Sequence, residues 1–183
     1  MAVCPDNPES YGDTTYNTCV YTCRPGEFSD NTTNLCVPIC PSLLSTPPAD
    51  YYGDAVTGRC VLWCTEGTYA QNGTSRLCVN PCPVNEFADN LTRRCVAQCP
   101  PSQATFADPT TQRCVRICPQ GLWAENLTQT CESQCRTYTT APLIGVVGYA
   151  DNVTNFCVRQ CPFGYFGTNL THQCVSICPS SQN

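Results

Sequence analysis

Residues 114–131 read CVRICPQGLWAENLTQTC, and this stretch decides the fold. It holds two cysteines four positions apart, a proline and glycine, an aromatic, an acid joined to Asn-x-Thr, and a closing cysteine. Outward from it the same order recurs along the whole chain. Apart from Cys4, the 19 cysteines fall into nine C-x3-C pairs, at 19/23, 36/40, 60/64, 78/82, 95/99, 114/118, 131/135, 157/161 and 174/178. A 183-residue chain with more than one cysteine in ten residues and a fixed short period reads as small disulfide-closed modules, not as one large hydrophobic core.

Valine follows the first cysteine of a pair in eight of nine cases, Glu132 being the exception. Proline follows the second, with breaks at Arg24, Thr65 and Arg136. An aromatic stands eight positions before the closing cysteine at Tyr11, Phe28, Tyr52, Phe87, Phe106, Trp123, Tyr149 and Phe166, while Tyr69 is displaced by one residue. Turn residues follow it, as in Asp30-Asn31, Asp89-Asn90 and Asp151-Asn152. Asp and Asn tolerate the left-handed conformation and bond their own backbone, so the loop reads as a short irregular β-hairpin with the Asp-Asn pair at the bend. The fold class expected is small disulfide-rich β repeats, an elongated rod of about nine single-disulfide β-hairpin modules with little or no helix.

A slower period lies over the first. The loops between cysteines hold 14, 12, 19, 13 and 12 residues, then 14, 12, 21 and 12, so the series nearly restarts after five. This divides the chain into a first five-module super-repeat over residues 1–98 and a second, incomplete one over residues 99–183.

Cysteines four apart on an extended linker sit about 13 Å from each other, beyond the ~7 Å reach of a disulfide. Connectivity is not fixed by sequence, but serial closure of each loop is the expectation: Cys4–Cys19, Cys23–Cys36, Cys40–Cys60, Cys64–Cys78, Cys82–Cys95, Cys99–Cys114, Cys118–Cys131, Cys135–Cys157 and Cys161–Cys174. Cys178 is left unpaired within the segment and reads as the start of a further module, an intermolecular bridge being the other option. A cysteine just before Met1 would complete the first spacer, so the chain is expected to be an excerpt of a longer repeat array. Each closure removes roughly 3 kcal/mol of unfolded-state entropy, which suits modules too small for cores of their own. Each module is expected to pack its aromatic on the next module's valine, and at ~10 Å per module nine would span about 100 Å.

Six Asn-x-Thr sequons, at Asn31, Asn72, Asn90, Asn126, Asn152 and Asn169, all lie five or six residues before a closing cysteine. Six at one structural address predict N-linked glycans on the hairpin tips, whereas the bland alternative is that Asn and Thr only form turns. Sequons and regular cysteine spacing together point to a secreted or cell-surface, oxidising setting.

Other chemistry is weakly supported. A net charge of −5 and no lysine leave little to neutralise phosphates, so no nucleic-acid partner is expected. The longest apolar run, Ala141 to Val147, is far too short to span a membrane. Zinc would want C-x2-C or C-x4-C with histidine partners, and the one histidine, His172, reads as a solvated turn residue. Asp30, Asp89, Glu125 and Asp151 supply one carboxylate per turn, too few for calcium. The arginines, Arg93 and Arg94 included, read as surface charges. No nucleophile, acid–base pair or cofactor cradle stands out, so neither an enzyme nor a cofactor is expected.

The phrase Cys-Val-x-x-Cys-Pro-x-Gly-x-aromatic, at Cys114 to Trp123 and Cys157 to Phe166, resembles furin-like and growth-factor-receptor cysteine-rich repeats, as in long cysteine-rich surface proteins of ciliates and other unicellular eukaryotes. The resemblance implies extracellular location and rod-like architecture. The function expected is a structural repeat protein, the spine of an extracellular fibril, coat or appendage that self-associates and carries glycans. The alternative is a surface antigen or receptor ectodomain stalk whose long loops, around Leu43-Leu44 and Leu143-Ile144, contact a protein partner.

Overall fold

The computed structural model describes residue 4 and residues 9–43, 49–71, 73–139 and 144–179. Nine disulfides close the loops serially, from Cys4–Cys19 to Cys161–Cys174, with Cα atoms 5.5 or 5.6 Å apart in every one. Cys178 carries a free, exposed thiol. Helix among the described residues is limited to a single 3-10 turn, Pro101–Gln103.

The loops opened by Cys23, Cys82, Cys118 and Cys161 are built in the same way. After the opening cysteine the chain reverses in a tight turn, in which Leu122 N–H donates to the Pro119 carbonyl and Gly121 takes φ +84°. That angle requires glycine or a tolerant residue, and Asn85 (φ 67°) fills the place in the Cys82–Cys95 module. A three-residue strand follows, reading aromatic, small residue, acid, as in Trp123–Glu125. A four-residue bend returns the chain to a strand centred on the closing cysteine, here Thr130–Glu132. In this register the aromatic lies opposite the residue after that cysteine: Phe28 faces Val37, Phe106 faces Val115 and Trp123 faces Glu132.

The left-handed residue is not in the Asp-Asn pair, as expected, but at the end of the bend. Asn17, Asn34, Gly58, Arg76, Arg93, Gln112, Gln129, Asn155 and His172 all have φ between 43° and 68°. A left-handed residue reverses its own carbonyl relative to the strand it leads into, and the reversed carbonyl meets the preceding module. Gly12 N–H donates to Asn34 O (2.8 Å), Gly53 to Arg76 (2.8 Å), Ala107 to Gln129 (2.7 Å) and Ala150 to His172 (2.7 Å). Each of these bonds sits in a one-residue parallel bridge between successive hairpins.

The chain forms two compact units, residues 1–96 and 97–183. In the first, such bridges run Gly12 to Leu35, Ser29 to Arg59, Gly53 to Leu77 and Ala70 to Arg94, always between consecutive modules. The longer loop of its third module adds a small ribbon, Ser42–Leu43 with Ala49–Asp50. In the second unit the bridges are Ala107 to Thr130, Ala124 to Phe156 and Ala150 to Gln173.

The core is a series of separate clusters. Tyr52 covers the Cys64–Cys78 disulfide and Ala70; Tyr69 covers Cys82–Cys95 and Ala88. Phe106 covers Cys118–Cys131 and Ala124, and Trp123 packs on Cys135–Cys157 and Ala150. These four aromatics thus rest on the disulfide of the next module, and the expected partner, the next module's valine, is corrected: valine lies across the hairpin from the aromatic of its own module. Gly53, Ala70, Ala88, Ala124, Ala150 and Gly167, each following an aromatic, are small because the preceding ring lies on them. A Cβ on Gly53 would stand 2.4 Å from the Phe28 ring, and one on Gly167 2.6 Å from the Tyr149 ring.

Gly53→Ala and Ala124→Val are therefore expected to overpack these contacts and to destabilise their unit by ~1–3 kcal/mol, measured by urea unfolding with the disulfides intact.

Candidate functional site

The repeated bend carries all the chemistry of the chain that is concentrated in one place. In seven of the nine modules it starts from an acid, and Asp13, Asp30, Asp54, Asp89, Asp108, Glu125 and Asp151 are all buried, at 0–4% exposure. A buried carboxylate is tolerated only when its oxygens are satisfied. One oxygen accepts the backbone N–H two residues on, at 2.9–3.1 Å in Thr15, Thr32, Val56, Leu91, Thr110, Leu127 and Val153. The other accepts the hydroxyl three residues on: Thr33 to Asp30 (2.6 Å), Thr92 to Asp89 (2.7 Å), Thr111 to Asp108 (2.6 Å) and Thr154 to Asp151 (2.6 Å). At Asp30, Asp89, Asp108 and Asp151 both carboxylate oxygens are committed to the bend, and among the described residues no three His, Cys, Asp or Glu side chains gather as a metal-ligand set.

In three modules the second donor comes from the module that follows. Arg24 is ion-paired with Asp13 and its Nη2 donates to Oδ1 at 3.4 Å, Thr65 donates its hydroxyl to Asp54, and Tyr138 donates to Glu125 Oε2 at 2.8 Å. Arg24 and Thr65 are two of the residues that break the proline rule. The third, Arg136, is ion-paired with Glu132, the one break in the valine rule. The departures from the repeat are thus matched contacts, a signal present in the sequence but unreadable without knowing which modules touch.

Of the sequon residues, Asn31, Asn90, Asn126, Asn152 and Asn169 are exposed, while Asn72 lies outside the described residues. Four of them meet the aromatic of the preceding module: Tyr11 Oη is 2.7 Å from Asn31 Oδ1, Tyr69 Oη 2.5 Å from Asn90 Oδ1, Trp123 Nε1 3.2 Å from Asn152 Oδ1 and Tyr149 Oη 2.8 Å from Asn169 Oδ1. The sequon threonine has a task of its own. Thr33, Thr92 and Thr154 each complete a buried carboxylate, as Thr111 does in a module without a sequon.

The left-handed residues also reach backward with their side chains. Arg93 donates to the Cys64 carbonyl (3.2 Å) and Asn155 to the Cys118 carbonyl (3.0 Å), and His172 Nδ1 lies 2.9 Å from the Cys135 carbonyl. His172 is thus half-buried at a module contact, with its ring tilted toward Tyr149, in place of the solvated role expected. Arg93 and Arg94 are likewise engaged, Arg94 lying over the Tyr52 ring at 5.5 Å. Arg93, Arg94 and Tyr52 line a depression of about 260 Å³ in the first unit together with Asp50 and exposed Trp63. Ser42 Oγ meets Asp50 Oδ1 at 2.5 Å, and Thr92 is bonded to Asp89. Of the residues expected to lie at partner-binding loops, Leu44 and Leu143 fall outside the described residues, and Ile144 is exposed.

Two titrating groups report these contacts. The Tyr138 hydroxyl is pushed up to about 12, first by burial and then by its bond to the Glu125 carboxylate. At the chain's start, the Tyr11 hydroxyl and Arg59 hold the Glu9 carboxyl below its usual range, the Tyr11 bond contributing most. Compared with protein-family models, curated proteins and solved structures, the chain matches none of them.

Tyrosine in an unfolded chain ionises near pH ~10, so Tyr138, raised in the fold, contributes stability that is complete below ~10 and lost as pH climbs toward 12. In urea titrations with Cys178 alkylated, Tyr138→Phe is expected to remove that alkaline loss. It should also lower stability at neutral pH by ~1–3 kcal/mol, because Glu125 Oε2 loses its donor.

Proposed function

We propose that the chain is a secreted, N-glycosylated structural repeat protein that forms the spine of an extracellular fibril, coat or appendage. The observation that carries this reading is that every described backbone bridge between hairpins within a unit joins consecutive modules in the same way. Each module offers an aromatic ring and a backbone N–H in one direction and a disulfide and a reversed carbonyl in the other. Units of this kind add by repetition, with stability set by each module and its two neighbours. Nine disulfides in modules without cores point to an extracellular or otherwise oxidising environment.

On this reading the work of the protein is mechanical and steric. Disulfides and stacked rings give stiffness, and sugars on exposed asparagines give the outer surface. No catalysis and no cofactor are involved. The motif's likeness to furin-like repeats supports location and repeat architecture only. A second reading, a surface antigen or receptor stalk with a protein partner, is favoured by the exposed apolar side chains of Trp63 and Ile144, at 70% exposure each.

Electron microscopy of native, still glycosylated material separates the two. Filaments with an axial repeat of five or ten modules are expected, and peptide N-glycosidase should thin them without dissolving the spine. Isolated particles at physiological concentration would sink the fibril reading in favour of the stalk.

A further inference from the structure

The bond between an aromatic and the next module's sequon is chemically directional. Trp123 Nε1 can only donate, so its partner at 3.2 Å must be the carboxamide oxygen of Asn152 and not the nitrogen. Tyr69 and Tyr149 reach Asn90 Oδ1 and Asn169 Oδ1 at the same structural address. N-glycosylation replaces one hydrogen on Nδ2 and leaves the carbonyl oxygen with its lone pairs. A bond to Oδ1 therefore survives the modification, whereas a bond to Nδ2 would compete with it. All three asparagines are exposed side chains, as attachment of a sugar requires.

Two sequons provide contrasts within the chain. The aromatic one module before Asn126 is Phe106, which has no polar donor and packs edge-on against Phe156. Tyr11 has one hydroxyl proton but two neighbours, Asn31 Oδ1 at 2.7 Å and the Glu9 carboxylate at 2.5 Å, and the charged acceptor is the stronger claimant.

We propose that Asn90, Asn152 and Asn169 are composite glycan sites, in which the preceding module's Tyr69, Trp123 or Tyr149 holds the carboxamide oxygen and thereby fixes the direction in which the sugar leaves the protein. The proposal rests on the glycosylation reading above. It assigns to the indole and phenol groups a positioning role that ring packing does not require, since Phe28, Phe87 and Phe106 occupy the same place without a polar group. It makes each glycan's orientation depend on docking between two modules, so the sugar is oriented only where the repeat is assembled.

The test uses the full glycosylated chain and Trp123→Phe, Tyr149→Phe and Phe106→Tyr, substitutions that keep an aromatic ring in place. Peptide N-glycosidase cleaves the bond between the Asn carbonyl carbon and Nδ2. In heavy-oxygen water each released site is marked by the isotope, so release from native protein can be timed site by site by mass spectrometry. A held carboxamide should resist. Release is expected to be several-fold faster at Asn152 in Trp123→Phe and at Asn169 in Tyr149→Phe, with Asn126 unchanged in both. Phe106→Tyr should slow release at Asn126, a gain that loosened packing would not produce. Unchanged rates at the cognate sites would overturn the positioning role while leaving glycosylation intact. Glycopeptide maps of the parent chain without sugar at any sequon would instead overturn the glycosylation reading itself.

Discussion

A disulfide between two short strands is a poor core by itself, because it closes a loop but leaves sulfur and backbone open to water on both faces. In this chain the missing cover is an aromatic ring supplied by the module before. Burial of such a ring is worth roughly 1.5–3 kcal/mol, comparable to the entropy removed by closing one loop. The other features of the repeat follow from making room for that ring. The residue beneath it is glycine or alanine, as at Gly53, Ala70, Ala88, Ala124, Ala150 and Gly167. The strand that carries it is three residues long or shorter, because beyond the acid the chain must already turn.

The bend meets a second constraint, set by backbone polarity. Strands this short leave many N–H and C=O groups with no partner inside their own hairpin. A left-handed residue at the end of each bend directs one carbonyl to the neighbouring module, and its side chain often satisfies a second, as Arg93, Asn155 and His172 do. The position therefore takes arginine, glutamine, asparagine, glycine or histidine, a set with no common charge or size. What unites it is a conformation and a reach. The buried acid at the start of the bend obeys the same accounting, with donors from its own turn or, at Asp13, Asp54 and Glu125, from the following module.

The sequon is thus built from residues that already have structural work. At Asn31, Asn90 and Asn152 the threonine completes a carboxylate and the asparagine oxygen receives a donor from the neighbouring ring. A glycan fits this scheme without disturbing it, since the only sequon atom it needs is the nitrogen. Turn chemistry and glycosylation therefore act on the same three residues as compatible demands. Threonine at Thr33, Thr92 and Thr154 follows from the turn alone, as Thr111 shows in a module that has no asparagine to modify.

Much of this was legible in one dimension. Cysteine spacing gave serial closure, because loop closure depends on distance along the chain, and the alternation of aromatic, turn and cysteine gave the hairpins and their count. The sequons stood out by address alone. What only the tertiary structure decided were the contacts between modules, since they pair residues from different repeats that share no fixed offset once loop lengths vary. Tyr149 and Asn169 are 20 apart, whereas Trp123 and Asn152 are 29 apart for the same contact. For this reason the ring's seat on a disulfide instead of a valine was hidden, as were the backward reach of His172 and the pairing of Glu132 with Arg136. A local pattern specifies each hairpin because its bonds are local. Their docking is specified by shape and hydrogen-bond satisfaction across a surface, which a linear repeat records only as small residues and as exceptions to its own rule.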